Sequence, residues 1–258
     1  MTVCGCKGVR YCAACETSDR VVALKSECFT NPVDEFHLFC VHCTTALPCS
    51  HNLHSTCSLD LTGVRVYLDF VSDTEEMQLT HNIDKSTWQP SQSGRLKQDY
   101  GPRANYKKQK LKLDKFFGLP AYSSFLRRRL HEISELQDFI PVEQCNLQYH
   151  PDQGSSIDFH FDDFWLWGER LIIINLLSDS AMLFNYQDHY VKVPLPRRSL
   201  IVMRGDGRDK WKHAIVREDI VDRRISVTFR ELSQLFLNGE RRDEGQEIIE
   251  IAANSVLE

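Results

Sequence analysis

Hydrophobic and polar positions change their period several times along the chain. The apolar residues of VRVYLDFV predict a strand over Val64–Val71. DTEEMQLTHNID then predicts a helix, with Asp73 or Thr74 as its N-cap and Glu75 and Glu76 in the first turn. Residues 91–115, SQSGRLKQDYGPRANYKKQKLKLDK, are polar and basic and read as a loop or hairpin region. Phe125, Leu126, Leu130, Ile133 and Leu136 return at helical spacing, which makes the Arg run among them a solvated helix face. From about residue 145 the pattern turns to short strands. SIDFHFD, RLIIINLL, AMLFNY, HYVKVPL, SLIVMRG, KHAIVRE and RISVTFREL follow one another across turns rich in Asp, Gly, Pro and Ser. Strands so closely spaced predict a sandwich or jelly roll rather than alternating strand–helix units. Residues 239–257, GERRDEGQEIIEIAANSVL, close the chain as an amphipathic helix.

Size and composition alter this picture mainly at the amino terminus. A chain of 258 residues buries one full core with a small added module. Its 42% hydrophobic and 26% charged residues are those of an ordinary globular protein. The net charge of −5 argues against a general nucleic-acid coat protein, although a local basic face can still bind one. No apolar run is long enough to span a bilayer, and MTVCGCKGVRYC lacks the apolar core of a secretory signal. The expectation is therefore a protein of the cytoplasm and nucleus with reduced thiols and no membrane partner. Nine of the ten Cys lie in the first 57 residues, which sets a Cys/His-rich region, 1–61, apart from a Cys-poor domain, 62–258. Cys4-x-Cys6 and Cys12-x-x-Cys15 place four thiols close together, with Gly5 and Gly8 permitting tight turns. Tetrathiolate zinc wants that number and pairing of ligands; flexible reduced thiols are the plainer alternative. Cys40, Cys43, Cys49, His51, His54 and Cys57 could supply a second zinc site, though at irregular spacing.

Candidate chemistry starts at His160-x-Asp162, inside the alternating run of SIDFHFD. Ile157, Phe159 and Phe161 point one way there, and Asp158, His160 and Asp162 the other, so the heads of His160 and Asp162 converge. About one His-x-Asp is expected by chance in this composition, and a second, His150-Pro151-Asp152, sits in a turn with no common face. A non-haem ferrous oxygenase needs two His and one carboxylate on one face of iron. His213, near the start of KHAIVRE, is the candidate third ligand; a strand-end histidine bonded to a carbonyl is the alternative. Asp158 is a candidate for orienting a ligand from behind. Further on, Arg224, Ser226, Thr228 and Arg230 share one strand face while Ile225, Val227 and Phe229 pack the other. Guanidinium groups directed into a small barrel are costly unless they meet an anion, and an exposed edge strand is the competing reading. Six strand steps put the two Arg about 20 Å apart, so they cannot both hold one small carboxylate.

His160-x-Asp162, then His213, then Arg224 and Arg230 form an ordered constellation that resembles the AlkB family of iron(II)- and 2-oxoglutarate-dependent oxygenases. CGCKGVRYCAACE, SQSGRLKQDYGPRANYKKQKLK, VEQCNLQYHPDQGSSID, DDFWLWGERL, WKHAI and RRISVTFREL resemble in particular its homologue-4 branch in animals, over about residues 1–16 and 62–250. The resemblance implies an α+β fold, a double-stranded β-helix (jelly-roll) core with flanking helices and an N-terminal Cys-rich region. It implies His160, Asp162 and His213 as catalytic iron ligands, and Tyr149, Arg224 and Arg230 as residues that hold 2-oxoglutarate. Fe(II), O2 and 2-oxoglutarate are the implied cofactors. The implied reaction oxidises an N-methyl group, which leaves as formaldehyde while 2-oxoglutarate becomes succinate and carbon dioxide. Two positions depart from the family pattern: Leu147 stands where an Asn is expected, with Asn146 one place off, and Ser226 replaces a second Asn. For substrate, the resemblance implies monomethyl-lysine in a protein, actin, with a role in actomyosin control. The alternative is 6-methyladenine in DNA, held through the basic residues 95–115 and their tyrosines. A zinc-dependent adaptor with an inactive oxygenase fold is the third reading, and the intact triad and Arg224 argue against it.

Overall fold

The computed structural model describes residues 4–27, 36–48 and 59–256. After helix α1 (Asp19–Glu27) comes a hairpin of β1 (His37–Cys40) and β2 (Thr45–Pro48). β3 (Val64–Tyr67) runs into α2 (Asp73–Ile83). Two small hairpins follow, β4 (Gln89–Pro90) with β5 (Leu96–Tyr100), and β6 (Arg103–Asn105) with β7 (Lys110–Lys112). β8 (Leu119–Pro120) leads to α3 (Ser124–Leu130). The strand-rich half contains β9 (Glu143–Tyr149), β10 (Ile157–His160), β11 (Trp167–Leu176), β12 (Ser180–Tyr186), β13 (His189–Leu195) and β14 (Leu200–Met203). A single turn, α4 (Asp206–Asp209), separates these from β15 (Lys212–Ile215) and β16 (Arg224–Leu232). α5 (Gln234–Leu237), α6 (Arg242–Ala253) and β17 (Ser255–Val256) follow, and β17 pairs with β8.

Two sheets form the core, in the orders β3-β14-β11-β16-β9-β5-β4 and β10-β15-β12-β13-β1-β2. The larger sheet is antiparallel throughout. In the smaller one β1 joins β13 in parallel. The sheets bury Val64, Val66, Leu171, Ile201 and Met203 of one against Met182, Phe184, Val191, Val193 and Leu195 of the other. On its other face the larger sheet packs Ile172, Ile174, Ile225, Val227 and Phe229 against Leu79 and Ile83 of α2 and Leu126 and Leu130 of α3. That double cover is why RLIIINLL is a nearly continuous apolar run rather than an alternating one. The result is the jelly roll with flanking helices that the strand spacing predicts. From Arg224 to Arg230 β16 obeys the predicted alternation: Ile225, Val227 and Phe229 go to the helices, and Arg224, Ser226, Thr228 and Arg230 to the other face.

Some boundaries differ from the sequence reading. β3 stops at Tyr67, and Asp69 takes a positive φ of 48°, so Phe70 and Val71 enter the helix-side core from a turn. The cap of α2 is Ser72 rather than Asp73 or Thr74. Its hydroxyl accepts the Glu75 N–H at 3.2 Å while the Glu75 carboxylate accepts the Ser72 N–H at 2.8 Å, a capping box. Nor is the Arg run wholly solvated. Arg129 donates to Glu75 at 2.5 Å and 2.9 Å and ties α3 to α2, Arg127 donates to Pro120 O, and only Arg128 of the three is exposed.

Arg129 and the Ser72 N–H hold the Glu75 carboxyl down to about 2. A depressed acid adds stability that is present above its unfolded pKa, about 4.3, and lost as pH falls towards about 2. Glu75→Gln therefore flattens the acid limb of a thermal-unfolding profile in that window. Ser72→Ala lowers stability by about 1 kcal/mol at neutral pH. An unchanged acid limb in Glu75→Gln would remove the pair from this account.

Candidate metal centre

β10 lies at the edge of the smaller sheet beside β15, and their register sets His160 opposite His213. The two rings stand 4.3 Å apart between centroids. Asp162 follows the end of β10, with Oδ1 3.4 Å from His160 Nε2. One donor atom from each of His160, Asp162 and His213 lies within 4.8 Å of the other two. Simple alternation does not carry through β10, because its register against β15 slips between Ile157 and His160. Asp158 consequently points its carboxylate to solvent, 3.9 Å from Arg10. Its backbone carbonyl, not its side chain, bonds His160 Nδ1 at 2.9 Å. A carbonyl only accepts, so Nδ1 carries the proton and Nε2 presents its lone pair to the site.

Charge at the site is settled from the opposite sheet. Arg230 of β16 donates Nε to Asp162 Oδ2 at 2.8 Å and also pairs with Glu143 of β9. Burial works against the Asp162 charge, yet the Arg230 guanidinium holds its carboxyl well below the usual range. Glu143 shares the same guanidinium, and burial pushes its carboxyl up. His213 is pushed down to about 3, chiefly by burial and then by neighbouring His160, and is a neutral imidazole. Two imidazoles and an ionised carboxylate that converge in this way are a donor set for a divalent transition metal, and ferrous iron fits it.

At the far end of the same β16 face lies Arg224, only 1% exposed. Its Nε donates to Asn175 Oδ1 at 2.6 Å, and its guanidinium carbon stands 4.7 Å from the ring of Tyr149, its register partner on β9. Its Nη1 is buried with no hydrogen-bond partner, and no carboxylate among the described residues forms an ion pair with it. An unneutralised buried guanidinium costs several kcal/mol, and a carboxylate supplied from solution would satisfy it. Ser226 and Thr228 line the face between the two Arg, both buried. Leu147 shares that inner side with the core, whereas Asn146 is buried on the opposite face of the sheet, where it bonds Gln98 and Tyr122, each at 2.9 Å. The neighbouring Asn therefore does not replace the missing one.

His150-Pro151-Asp152 occupies a single turn, Pro151–Gln153, and takes no part in the metal cluster. The Sγ atoms of Cys4, Cys6, Cys12 and Cys15 form a second compact group. Cys40 and Cys43 lie in the β1–β2 hairpin, while Cys49, His51, His54 and Cys57 fall outside the described residues. Two residues beside the centre escaped the sequence reading, and a third, Tyr106, entered it only as one of the tyrosines of the basic stretch. Asn175 is the one polar interruption of RLIIINLL, a signal that was there to be used. Arg208 of α4 is buried, stacks 4.1 Å over Phe164, leaves Nε and Nη1 without partners and interacts with the charge of Asp162. Tyr106, on the β6–β7 turn, has its hydroxyl pKa raised by burial and then by Glu143, with Arg230 and Asp162 also in range.

No family model matches this chain. Alpha-ketoglutarate-dependent dioxygenase alkB homolog 4 of Homo sapiens is 40% identical over 286 residues, covering 96% of this chain and 93% of the human one. The DNA N6-methyl adenine demethylase of Caenorhabditis elegans is 37% identical over 259 residues, covering 92% and 89%. A solved structure of OsALKBH1 is 12% identical with a TM-score of 0.48, covering 66% of this chain and 98% of that one.

Proposed function

This chain belongs to the AlkB family of alpha-ketoglutarate-dependent dioxygenases, and on that premise we propose that it removes N-methyl groups from a macromolecule by iron- and 2-oxoglutarate-dependent oxidation. His160 Nε2, Asp162 and His213 would hold the iron. Arg224, backed by Asn175 and stacked with Tyr149, would hold the distal carboxylate of 2-oxoglutarate. The observation that carries the reading is the orphaned Nη1 of Arg224, on the same strand face as the Arg230–Asp162 bond. When bound, iron and its cosubstrate supply the oxidising chemistry. The chain's own part is positional. Arg230 fixes one oxygen of Asp162 and leaves the other turned towards the histidines, and the Asp158 carbonyl fixes the tautomer of His160. Burial keeps His213 neutral and therefore able to donate its lone pair.

As substrate we propose a methylated lysine in a protein, actin being the case that the resemblance names. The net charge of −5 supports this. So does the basic stretch itself, where Lys97 pairs with Asp99 and Arg103 with Asp114, so that part of its charge is spent within the chain. The second reading is 6-methyladenine in DNA. It is favoured by the exposed Lys107, Lys108, Lys110 and Lys112 around Tyr106, and by the name of the Caenorhabditis relative. Formaldehyde release by the iron-loaded chain, offered methyl-lysine actin and 6-methyladenine DNA side by side, separates them. Release from actin only is the expected result. Release from DNA only establishes the second reading, and release from neither by a protein shown to contain iron removes both.

A further inference from the structure

We propose that Cys4, Cys6, Cys12 and Cys15 hold a structural zinc ion whose loop braces the cosubstrate end of the oxygenase core. The sulfur of Cys12 lies 3.7 Å from that of Cys4 and 3.8 Å from that of Cys15, and all four lie within 4.8 Å of one another. Zinc–sulfur bonds of about 2.3 Å in a tetrahedron imply sulfur–sulfur edges of about 3.8 Å. All four cysteines are free, so no disulfide accounts for their approach. Donors converge on the sulfurs as thiolates require. The Cys6 N–H points at Cys4 Sγ at 3.4 Å, the Cys12 N–H at Cys15 Sγ at 3.4 Å and the Ser93 N–H at Cys6 Sγ at 3.2 Å. Arg20 Nη2 approaches Cys15 Sγ at 3.6 Å.

The place of this loop gives the ion a role in the oxygenase. The Ala13 N–H donates to Gln153 O at 3.0 Å, and Arg217 reaches back to Glu16 at 3.1 Å and to Tyr11 O at 3.2 Å. Gly94, at φ +71°, sits so close to the junction that a Cβ there would stand 2.4 Å from Gln153 O and 3.2 Å from Cys12 Cβ. Ser155 locks the same turn, accepting the His150 N–H at 2.9 Å and donating to Gly94 O at 2.6 Å. The Ser156 N–H donates to Ser93 O at 3.0 Å. Residues 150–156 join Tyr149, at the end of β9, to β10, which carries His160. The sequence set the cysteine cluster apart from the oxygenase motif, but the fold seats it behind the link between the cosubstrate tyrosine and the first metal ligand. Loss of the ion frees that link.

The zinc assignment stands by itself, while the brace rests on the reading of Tyr149 and Arg224 as the 2-oxoglutarate site. Metal analysis of the full chain, expressed with both metals supplied, should find one zinc per chain in addition to iron. Cobalt substitution should give the thiolate charge-transfer bands of a tetrahedral site. Wild-type protein without that zinc, or without those bands, overturns the site whatever the variants do. Cys12→Ser should lose the zinc, keep the iron, and raise the KM for 2-oxoglutarate by about 10-fold with a smaller change in kcat. Cys15→His, which restores a zinc ligand, should retain both zinc and KM. Zinc lost with KM unchanged overturns the brace. An Arg224→Met protein with normal KM would instead overturn the cosubstrate reading and leave the zinc count standing.

Discussion

Arg224→Met raises the KM for 2-oxoglutarate on the order of 100-fold and leaves iron content unchanged. The magnitude follows from burial. Arg224 is almost fully enclosed, its Nη1 lacks a partner, and no acid among the described residues neutralises it. Removing one partner of a buried, charge-assisted pair costs about 2–5 kcal/mol, and 100-fold lies near the low end of that range. The sign of the stability change separates a ligand-holding Arg from a structural one. In the protein without cosubstrate the guanidinium is an uncompensated buried charge, and burial already lowers its pKa. Met fills similar space without that charge, which offsets the loss of the Nε bond to Asn175. Melting temperature therefore stays near that of the wild type while KM rises. A large fall in melting temperature with KM unchanged would make Arg224 a structural residue.

Asp162→Ala abolishes formaldehyde release and weakens iron binding by more than the about 10–100-fold that outer-shell substitutions cost at metal sites. Asp162 is the one carboxylate in the triad, so its loss leaves two imidazoles and no anion for a dication. A second effect is local. Glu143 now shares the Arg230 guanidinium with Asp162, and the charge of Asp162 helps to push its carboxyl up. In the variant Glu143 has Arg230 to itself and its pKa falls. Iron content by mass spectrometry and formaldehyde yield test the first effect, and carboxyl titration by NMR tests the second. Activity within about tenfold of the wild type would take Asp162 out of the metal site.

Much of the core was legible because its signals are local. Seven short apolar runs predict the strands of a jelly roll, and β16 sorts its polar and apolar residues to opposite faces as period two requires. Where local rules met local competition, they slipped. The α2 cap moved to Ser72 because that residue completes a reciprocal pair with Glu75. Asp158 left the expected face because β10 slips against β15, and no feature of SIDFHFD announces the slip.

By itself, then, the sequence determined the strand rhythm, the inward face of β16, the His-x-Asp candidate and the thiol-rich amino terminus. Each depends on residues a few positions apart, whose side-chain directions follow from backbone geometry. Only the tertiary structure decided that Arg230 would clamp Asp162, that Asn175 would hold Arg224 with one nitrogen left over, and that four cysteines would close against the turn leading to His160. Those contacts join residues tens to more than a hundred positions apart. Sheet pairing and burial bring them together, and neither is written in the spacing of any short segment.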